Sequence, residues 1–435
     1  MPKRHWIIEI SRQLMKEDSF KDKHRASKEA FTRARKLSFE LVLVTVLRKS
    51  VKSLQNVVNE VMFWLEGEAV TASAYCQARY KLLHTAFIEL NQKAIVEPMY
   101  RDKDYLTFWG YRILGVDGSK VILPNNQETR EAFGAIPYTN GKNKQVLGEH
   151  CYGTASVLYD VMNRIAVDAV LVSGKAYEVD LAIAHLQHTT VNDLLLMDRN
   201  YPSYLMMAEL SQRQQSFVIR CSANSFTPAR QLAKGTGTES QVVTIKVPQS
   251  QLAEVRKRRL PESIRVRFVR VMLKTGEAEV LVTSLLDECA YPSADFAELY
   301  RLRWGVETFY GLLKTRLGLE NFSGQSVEAI KQDFYATIYL TGIEAVLTEA
   351  AQKQLDDKET RHPQIVNRAV SFNVIKNHAL DLLFSNLDSE TLMEKLTTLF
   401  LKNPTSRRIE RNPPRQKSSP RILLNFQKRK KKHCF

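Results

Sequence analysis

Between residues 300 and 314 the chain carries a phenol, a guanidinium, a carboxylate and an ammonium (Tyr300, Arg303, Glu307 and Lys314) at positions 0, 3, 7 and 14 of the segment. On a helix these side chains point to about 0°, 300°, 340° and 320°, within an arc of about 60° along a stripe of roughly 21 Å. Gly311 falls on the same stripe and leaves it open near its middle. An aromatic hydroxyl, two cations and one carboxylate make a poor core face. They suit a row of phosphates passing a metal-ligating acid. The same residues also describe a solvated helix face with an Arg303–Glu307 i,i+4 pair worth a few tenths of a kcal/mol. The stripe alone leaves both readings open.

Two further acids bear on the choice. Asp117 follows the apolar, β-rich run 111–116, and Asp198 follows the apolar run 193–197. A carboxylate just past a buried strand lies at the rim of a sheet, where open α/β folds place ligands. A lone aspartate there is more often a cap or a turn residue. Two of them with a glutamate on a long helix are what a two-metal phosphoryl-transfer site needs. Mg²⁺ takes oxygen ligands and keeps several waters. Two such ions about 4 Å apart activate the attacking oxygen and stabilise the leaving one.

The elements that must position these acids follow from periodicity and breakers. Residues 1–100 read as helical, with apolar spacing of three and four at 39–47 and 57–65. Thr71 or Ser73 caps a helix running through Tyr75, Ala78, Leu82 and Phe87. Its segment 73–81 presents small, polar and basic groups on one face, as a recognition helix would. After Pro98 strands are expected at 111–116, 153–159, 164–172, 193–197 and 217–220, with helices at 178–188 and 204–213. This alternation indicates an α/β mixed sheet. The block 224–290 reads as β-rich, with strands at 241–247, 264–273 and 278–285. One long helix is expected over 293–317, then helices at 327–354, 362–384 and 390–401. Beyond Asn403 the chain is rich in Pro, Arg, Lys and Ser and reads as a disordered tail.

The 435 residues carry a net charge of +16. From Lys402 to Phe435 there are 12 lysines and arginines against the single acid Glu410, so this end holds +11 and the other 401 residues +5. Such a surplus favours a polyanionic partner. The run Lys428-Arg429-Lys430-Lys431-Lys432 suits salt-sensitive phosphate contacts. No apolar run approaches the roughly 20 residues that span a bilayer, and no signal-peptide apolar region follows the basic start. A cytoplasmic protein without a membrane partner is expected. The five cysteines have no close pairs, against a zinc ribbon or a disulfide framework. His185 and His188 read as helix-surface histidines rather than metal ligands, and His150 beside Cys151 also reads as no ligand. Trp304 points away from Glu307 and reads as packing the helix onto the sheet.

Three blocks carry a family resemblance. They are Leu114-Gly115-Val116-Asp117-Gly118-Ser119-Lys120, Leu196-Met197-Asp198-Arg199-Asn200-Tyr201, and Tyr300-Arg301-Leu302-Arg303-Trp304-Gly305-Val306-Glu307 continuing to Lys314. The last reproduces the Tyr-Arg-Glu-Lys signature of the DDE transposases of bacterial insertion sequences, in the group named for insertion sequence four. The sequence resembles that family over about residues 30–350. The resemblance implies an α/β, ribonuclease H-like mixed sheet with an all-β insertion, flanked by helical N- and C-terminal regions. Together with the helices and tail read above, it gives a helical DNA-binding region (1–100), a catalytic core (101–223 and 291–350) and the insertion (224–290), with a helical C-terminal region (351–402) and a basic tail (403–435) read from their own pattern. It further implies that Asp117, Asp198 and Glu307 are the catalytic residues and bind two Mg²⁺ ions, with Mn²⁺ able to substitute. Tyr300, Arg303 and Lys314 would hold DNA phosphates. The implied activity is cleavage at the ends of an insertion sequence and strand transfer into target DNA. Its partners would be double-stranded DNA and a second copy in a synaptic homodimer, associated with a bacterial nucleoid. Two alternatives share the fold: a structure-specific nuclease without strand transfer, and a catalytically silent DNA-binding regulator.

Overall fold

The computed structural model describes residues 3–33, 35–139, 146–222, 225–235, 238–273, 276–385 and 388–407. Most of the basic tail, including the run 428–432, lies outside these residues.

Nine strands form one twisted sheet: β1 (Arg112–Ile122), β2 (Ala135–Thr139), β3 (Val146–Asp160), β4 (Ile165–Ser173), β5 (Asp193–Met197), β6 (Ser216–Cys221), β7 (Ser240–Lys246), β8 (Ser263–Met272) and β9 (Ala278–Thr283). Their order is β2-β3-β1-β5-β6-β9-β8-β7, and β4 also pairs with β3. Within it, β4-β3-β1-β5-β6 is the ribonuclease H-like unit: β3 is antiparallel to β1 and β4, and β5 and β6 run parallel to β1. The expected mixed sheet is present.

Two expectations are corrected here. The strands of the 224–290 block continue the central sheet, β9 pairing antiparallel with β6. The block also holds the helices Thr227–Ala233 and Leu252–Lys257, so it is not all-β. Their apolar residues Ala229, Leu232 and Val255 complete the core under β8 and β9. In addition, β1 does not stop before Asp117 but runs on to Ile122. Backbone pairing with β3 through Ile122↔Tyr152 carries the polar Gly118-Ser119-Lys120 stretch that ended the apolar pattern.

Side chains alternate between the two faces of the central strands, as period 2 requires. On β5, Leu195 and Met197 join the core beneath helices Glu178–His185 and Tyr204–Gln212. Leu194 and Leu196 join the opposite core with Phe296, Leu299 and Tyr300. The N-terminal helices share one apolar core with the C-terminal ones, from Ile7 to Phe400. That core is built around the 30-residue helix Val327–Asp356, which packs on β4.

The N-terminal helices include Phe39–Leu47, Leu54–Trp64 and Ala72–Arg79, capped by Ser38, Ser53 and Thr71. The Thr71-capped helix stops at Arg79, earlier than expected, because Leu82 leaves it to form a bridge with Arg25. The 362–384 region is likewise split. Gln364–Val366 pairs with Pro404–Ser406, so residues 404–406 are ordered strand rather than tail. Helices Arg368–Asn377 and Ala379–Leu383 follow.

Candidate active site

The register of β1 on β5 brings the two aspartates together. Arg112 pairs with Asp193 and Gly115 with Leu196, a constant offset of 81 residues. That pairing ends two residues before Asp117 and Asp198; Asp117 stays within β1, Asp198 follows directly on β5, and the Asp198 charge bears on Asp117. By alternation from Ile113 along β1, the Asp117 carboxylate belongs to the face that carries the Glu307 helix.

Each aspartate is fixed by a backbone donor. Gly118 N–H donates to Asp117 Oδ1 and Asn200 N–H to Asp198 Oδ1, both at 2.8 Å. The other oxygen of each accepts from no described residue. Burial first, and then the neighbouring Asp198 charge, push the Asp117 carboxyl up to about 7; Glu307 adds to the rise, while Gly118 N–H and Arg303 oppose it.

The expected helical stretch over 293–317 is four pieces: a 3-10 turn at Ser293–Asp295, helices Phe296–Arg301 and Trp304–Gly311, and a wider π turn at Leu312–Arg316. Arg303 and Val306 N–H bond to carbonyls three residues back, a local tightening that separates the two helices. The Tyr300 hydroxyl donates to the Met197 carbonyl (3.3 Å) at the end of β5. Arg303, 3% exposed, donates to Glu307 Oε1 at 2.6 Å. Lys314 donates to the Lys120 carbonyl on β1, and burial lowers its pKa. The stripe is therefore mixed: Tyr300 and Arg303 are buried, Lys314 is partly buried, and Glu307 is exposed. Two of its members anchor the helix to the carboxyl ends of β1 and β5.

Close approach is permitted by glycine. A Cβ on Gly115 would lie 3.2 Å from Val161 and 3.4 Å from Val306, and one on Gly305 would lie 3.1 Å from Val161. The buried helix face is Val306, Phe309, Tyr310 and Leu313, while Trp304 is 40% exposed. That corrects the packing role expected of Trp304, whose ring instead lies 4.7 Å from the Arg303 guanidinium.

The donors around Asp117 are hard oxygens, the chemistry Mg²⁺ prefers, and the like charges beside Asp117 are ones a divalent cation relieves. In chemical character the residues fit such an ion. Among the described residues, however, no three His, Cys, Asp or Glu side chains lie together closely enough to hold one. The Asp198 charge bears on Asp117, whereas Glu307 is drawn to Arg303.

Several residues here escaped the sequence reading. Tyr310, three residues past Glu307, lies within hydrogen-bond reach of the Asp117 and Ala155 carbonyls at 3.0 Å each. Glu178 rests against Gly118, where a Cβ would come 2.9 Å from its carboxyl carbon. Tyr201 stood inside the second block, but no role attached to it.

A second polar cluster has the chemistry of a nucleophile and is excluded by burial. Ser156 Oγ lies 2.9 Å from His185 Nε2, and His185 Nδ1 lies 2.6 Å from Asp168 Oδ2. Ser156 and His185 are each 1% exposed, so no substrate reaches them. They tie β3, β4 and helix Glu178–His185 together, and His185 is not the surface histidine expected. His150 lies on β3.

In the N-terminal region a cleft of about 1640 Å³ is lined by Lys21, Lys28, Arg33, Arg35, Lys36 and Lys81, with only Glu29 and Glu40 as acids. Ala74, Gln77 and Ala78 of the Thr71-capped helix line it too. Arg79 points elsewhere. It is buried, donating to Gln332, Ser323, Ala329 and Asp333.

A ribonuclease H-like sheet carrying Asp117 within β1 and Asp198 just past β5, with a glutamate helix packed on β1, is a scaffold suited to phosphoryl transfer. The family model for the transposase DDE domain matches residues 108–340, and the chain belongs to that family. It is similar to the transposase InsG for insertion sequence element IS4 of Escherichia coli (strain K12), at 23% identity over 317 residues, covering 70% of this chain and 69% of that protein. Among solved structures it is similar to a piggyBac transposase synaptic complex with hairpin DNA, with TM-score 0.44, 9% identity, and 96% and 89% of the two chains covered. No helix among the described residues is long and apolar enough to cross a membrane.

Proposed function

We propose that this transposase-family chain cleaves DNA at the ends of an insertion sequence and transfers the freed 3′ ends into target DNA, acting as a homodimer. The observation that supports the reading is the parallel pairing of β1 with β5, with Asp117 within β1, Asp198 just past β5 and the Glu307 helix packed on β1. Asp117, Asp198 and Glu307 would hold two Mg²⁺ ions, or Mn²⁺, which when bound neutralise phosphate charge and activate the attacking oxygen.

The chain's own groups have distinct tasks. Arg303 holds Glu307 and, with Lys314, turns to the phosphates beside the scissile bond. Tyr300 completes that clamp from its place against Met197. The basic N-terminal cleft takes double-stranded DNA, with Ala74, Gln77 and Ala78 facing the duplex, and its affinity falls as salt rises.

Asp117→Ala, Asp198→Ala and Glu307→Ala are each expected to bind element ends normally. In Mg²⁺ each is expected to lose cleavage by on the order of 10³-fold or more, the scale of removing a group central to transition-state charge. Strong cleavage by any one of them overturns the site. Pre-cleaved ends separate the activities: joined product is expected from the wild type, and its absence alongside cleavage leaves a nuclease without strand transfer.

A further inference from the structure

Tyr201 closes the turn after Asp198, its N–H donating to the Asp198 carbonyl at 3.3 Å. Three residues of chain therefore fix this ring relative to that carboxylate. The side chain is 0% exposed and belongs to the core beneath helices Glu178–His185 and Tyr204–Gln212. Its hydroxyl has no hydrogen-bond partner among the described residues. Buried phenols ordinarily find one, and an unmet buried donor is costly. Other buried tyrosines here obey that rule: Tyr204 donates to the Pro261 carbonyl, Tyr300 to Met197 and Tyr339 to Ser11.

The charges that bear on the Tyr201 hydroxyl are those of Asp117, Glu178 and Asp198, with Arg303 opposing them. The phenol thus stands in the field of three carboxylates and bonds to none. A phenol hydroxyl is a donor, and this one meets no acceptor among the described residues.

We infer that Tyr201 is a positioning residue for the occupant of the aspartate pair, its hydroxyl donating to an oxygen in the shell of the divalent cation held by Asp117 and Asp198. The inference rests on the reading of those acids as cation ligands. Partners of this kind orient bound waters and ligand oxygens, and their loss weakens metal affinity by about 10–100-fold.

The test is Mn²⁺ binding to the full-length chain, followed by paramagnetic resonance, with thermal unfolding of the metal-free protein alongside. Tyr201→Phe removes only the unmet hydroxyl. It is expected to unfold at the same temperature as wild type or higher, and to bind Mn²⁺ about tenfold more weakly. Tyr204→Phe, which loses a satisfied hydroxyl, is expected to unfold earlier and keep wild-type Mn²⁺ affinity. Wild-type Mn²⁺ affinity in Tyr201→Phe overturns the inference whatever the unfolding temperature. So does an equal loss in Tyr204→Phe, which marks general softening of the core. Asp117→Asn separates the two levels of the argument. If it abolishes binding while Tyr201→Phe retains it, only the role of Tyr201 falls. If the wild type binds no Mn²⁺, or Asp117→Asn binds it unchanged, the cation reading falls and this inference with it.

Discussion

Around Arg79 every polar group has its complement, whereas around Asp117 the carboxylates outnumber the one cation, Arg303, that bears on them. The Arg79 guanidinium donates to Gln332, Ser323, the Ala329 carbonyl and Asp333. Burial alone would raise the Asp333 pKa, but Arg79, Lys49 and the Ser323 N–H hold that carboxyl below the usual range. At the sheet end, burial and Asp198 raise Asp117, and the Tyr201 hydroxyl goes unmet. Both clusters are substantially buried, and only one is satisfied. A polar cluster that completes itself specifies the fold, here joining the N-terminal helices to helix Val327–Asp356. One left incomplete is where a fold gives up local stability for a ligand.

The comparison is broken most forcefully by removing one partner from each cluster. Arg79→Met strands the Asp333 carboxylate, whose side chain is 0% exposed. Breaking a buried pair in this way costs about 3–5 kcal/mol, to be read from denaturant unfolding. Asp117→Asn removes a charge that its surroundings oppose, and the metal-free protein is expected to be no less stable for it. Equal destabilisation by the two substitutions would falsify the distinction.

Protons probe the same difference. Asp117 has its folded pKa raised to about 7 from an ordinary value of about 4. The folded state therefore binds this proton more tightly than the unfolded state. The resulting stabilisation is full below about pH 4 and is lost as pH rises through about 7. Metal-free wild type should lose stability over that window, and Asp117→Asn should lose less. A cation must displace the proton, so apparent Mg²⁺ affinity is expected to fall about tenfold per pH unit below 7 and to level off above it. The readout is the Mg²⁺-induced rise in unfolding temperature, expected to be larger at pH 8 than at pH 6. Equal rises at the two pH values would remove Asp117 from the cation site.

Much of this arrangement was legible in the sequence, for physical reasons that differ by element. Strand β5 is an unbroken apolar run of four between acids, and its limits are those expected, Asp193–Met197. The stripe from Tyr300 to Lys314 was visible as spacing because helical geometry repeats whatever the fold. The 81-residue gap between the aspartates was visible as a number, but it acquired meaning only as the register between two parallel strands. What was hidden depended on partners far along the chain. The extension of β1 past Asp117 is held by β3. Arg79 stood on a helix that reads as a DNA-facing surface, and only helix Val327–Asp356 turns it into a buried node. His185 looked like a surface residue because Ser156 and Asp168 lie on other elements. Whether a hydroxyl such as that of Tyr201 is satisfied depends on the whole packed interior, which no local pattern encodes.

The smallest expected effect tests how finely the Glu307 helix is placed against the aspartates. Two glycines of that helix meet opposite surroundings: a Cβ on Gly305 would lie 3.1 Å from Val161 Cβ, while one on Gly311 meets nothing within 4 Å. Gly311→Ala should stabilise the protein by roughly 0.5–1 kcal/mol, the usual gain in a helix interior, and leave cleavage unchanged. Gly305→Ala has the same helical advantage but must push the helix off the β3–β4 corner by a few tenths of an ångström. Since displacement of about 1 Å costs reactions near 10²-fold, that shift is expected to slow cleavage about three- to tenfold at saturating Mg²⁺ while DNA binding is retained. Because Val161 lies at that corner and Val306 packs on Gly115, Val161→Ala should return the space and restore the rate in the Gly305→Ala background. Failure of that rescue would mean that the helix is not held in place by this contact, and that Glu307 reaches the aspartates by a looser route.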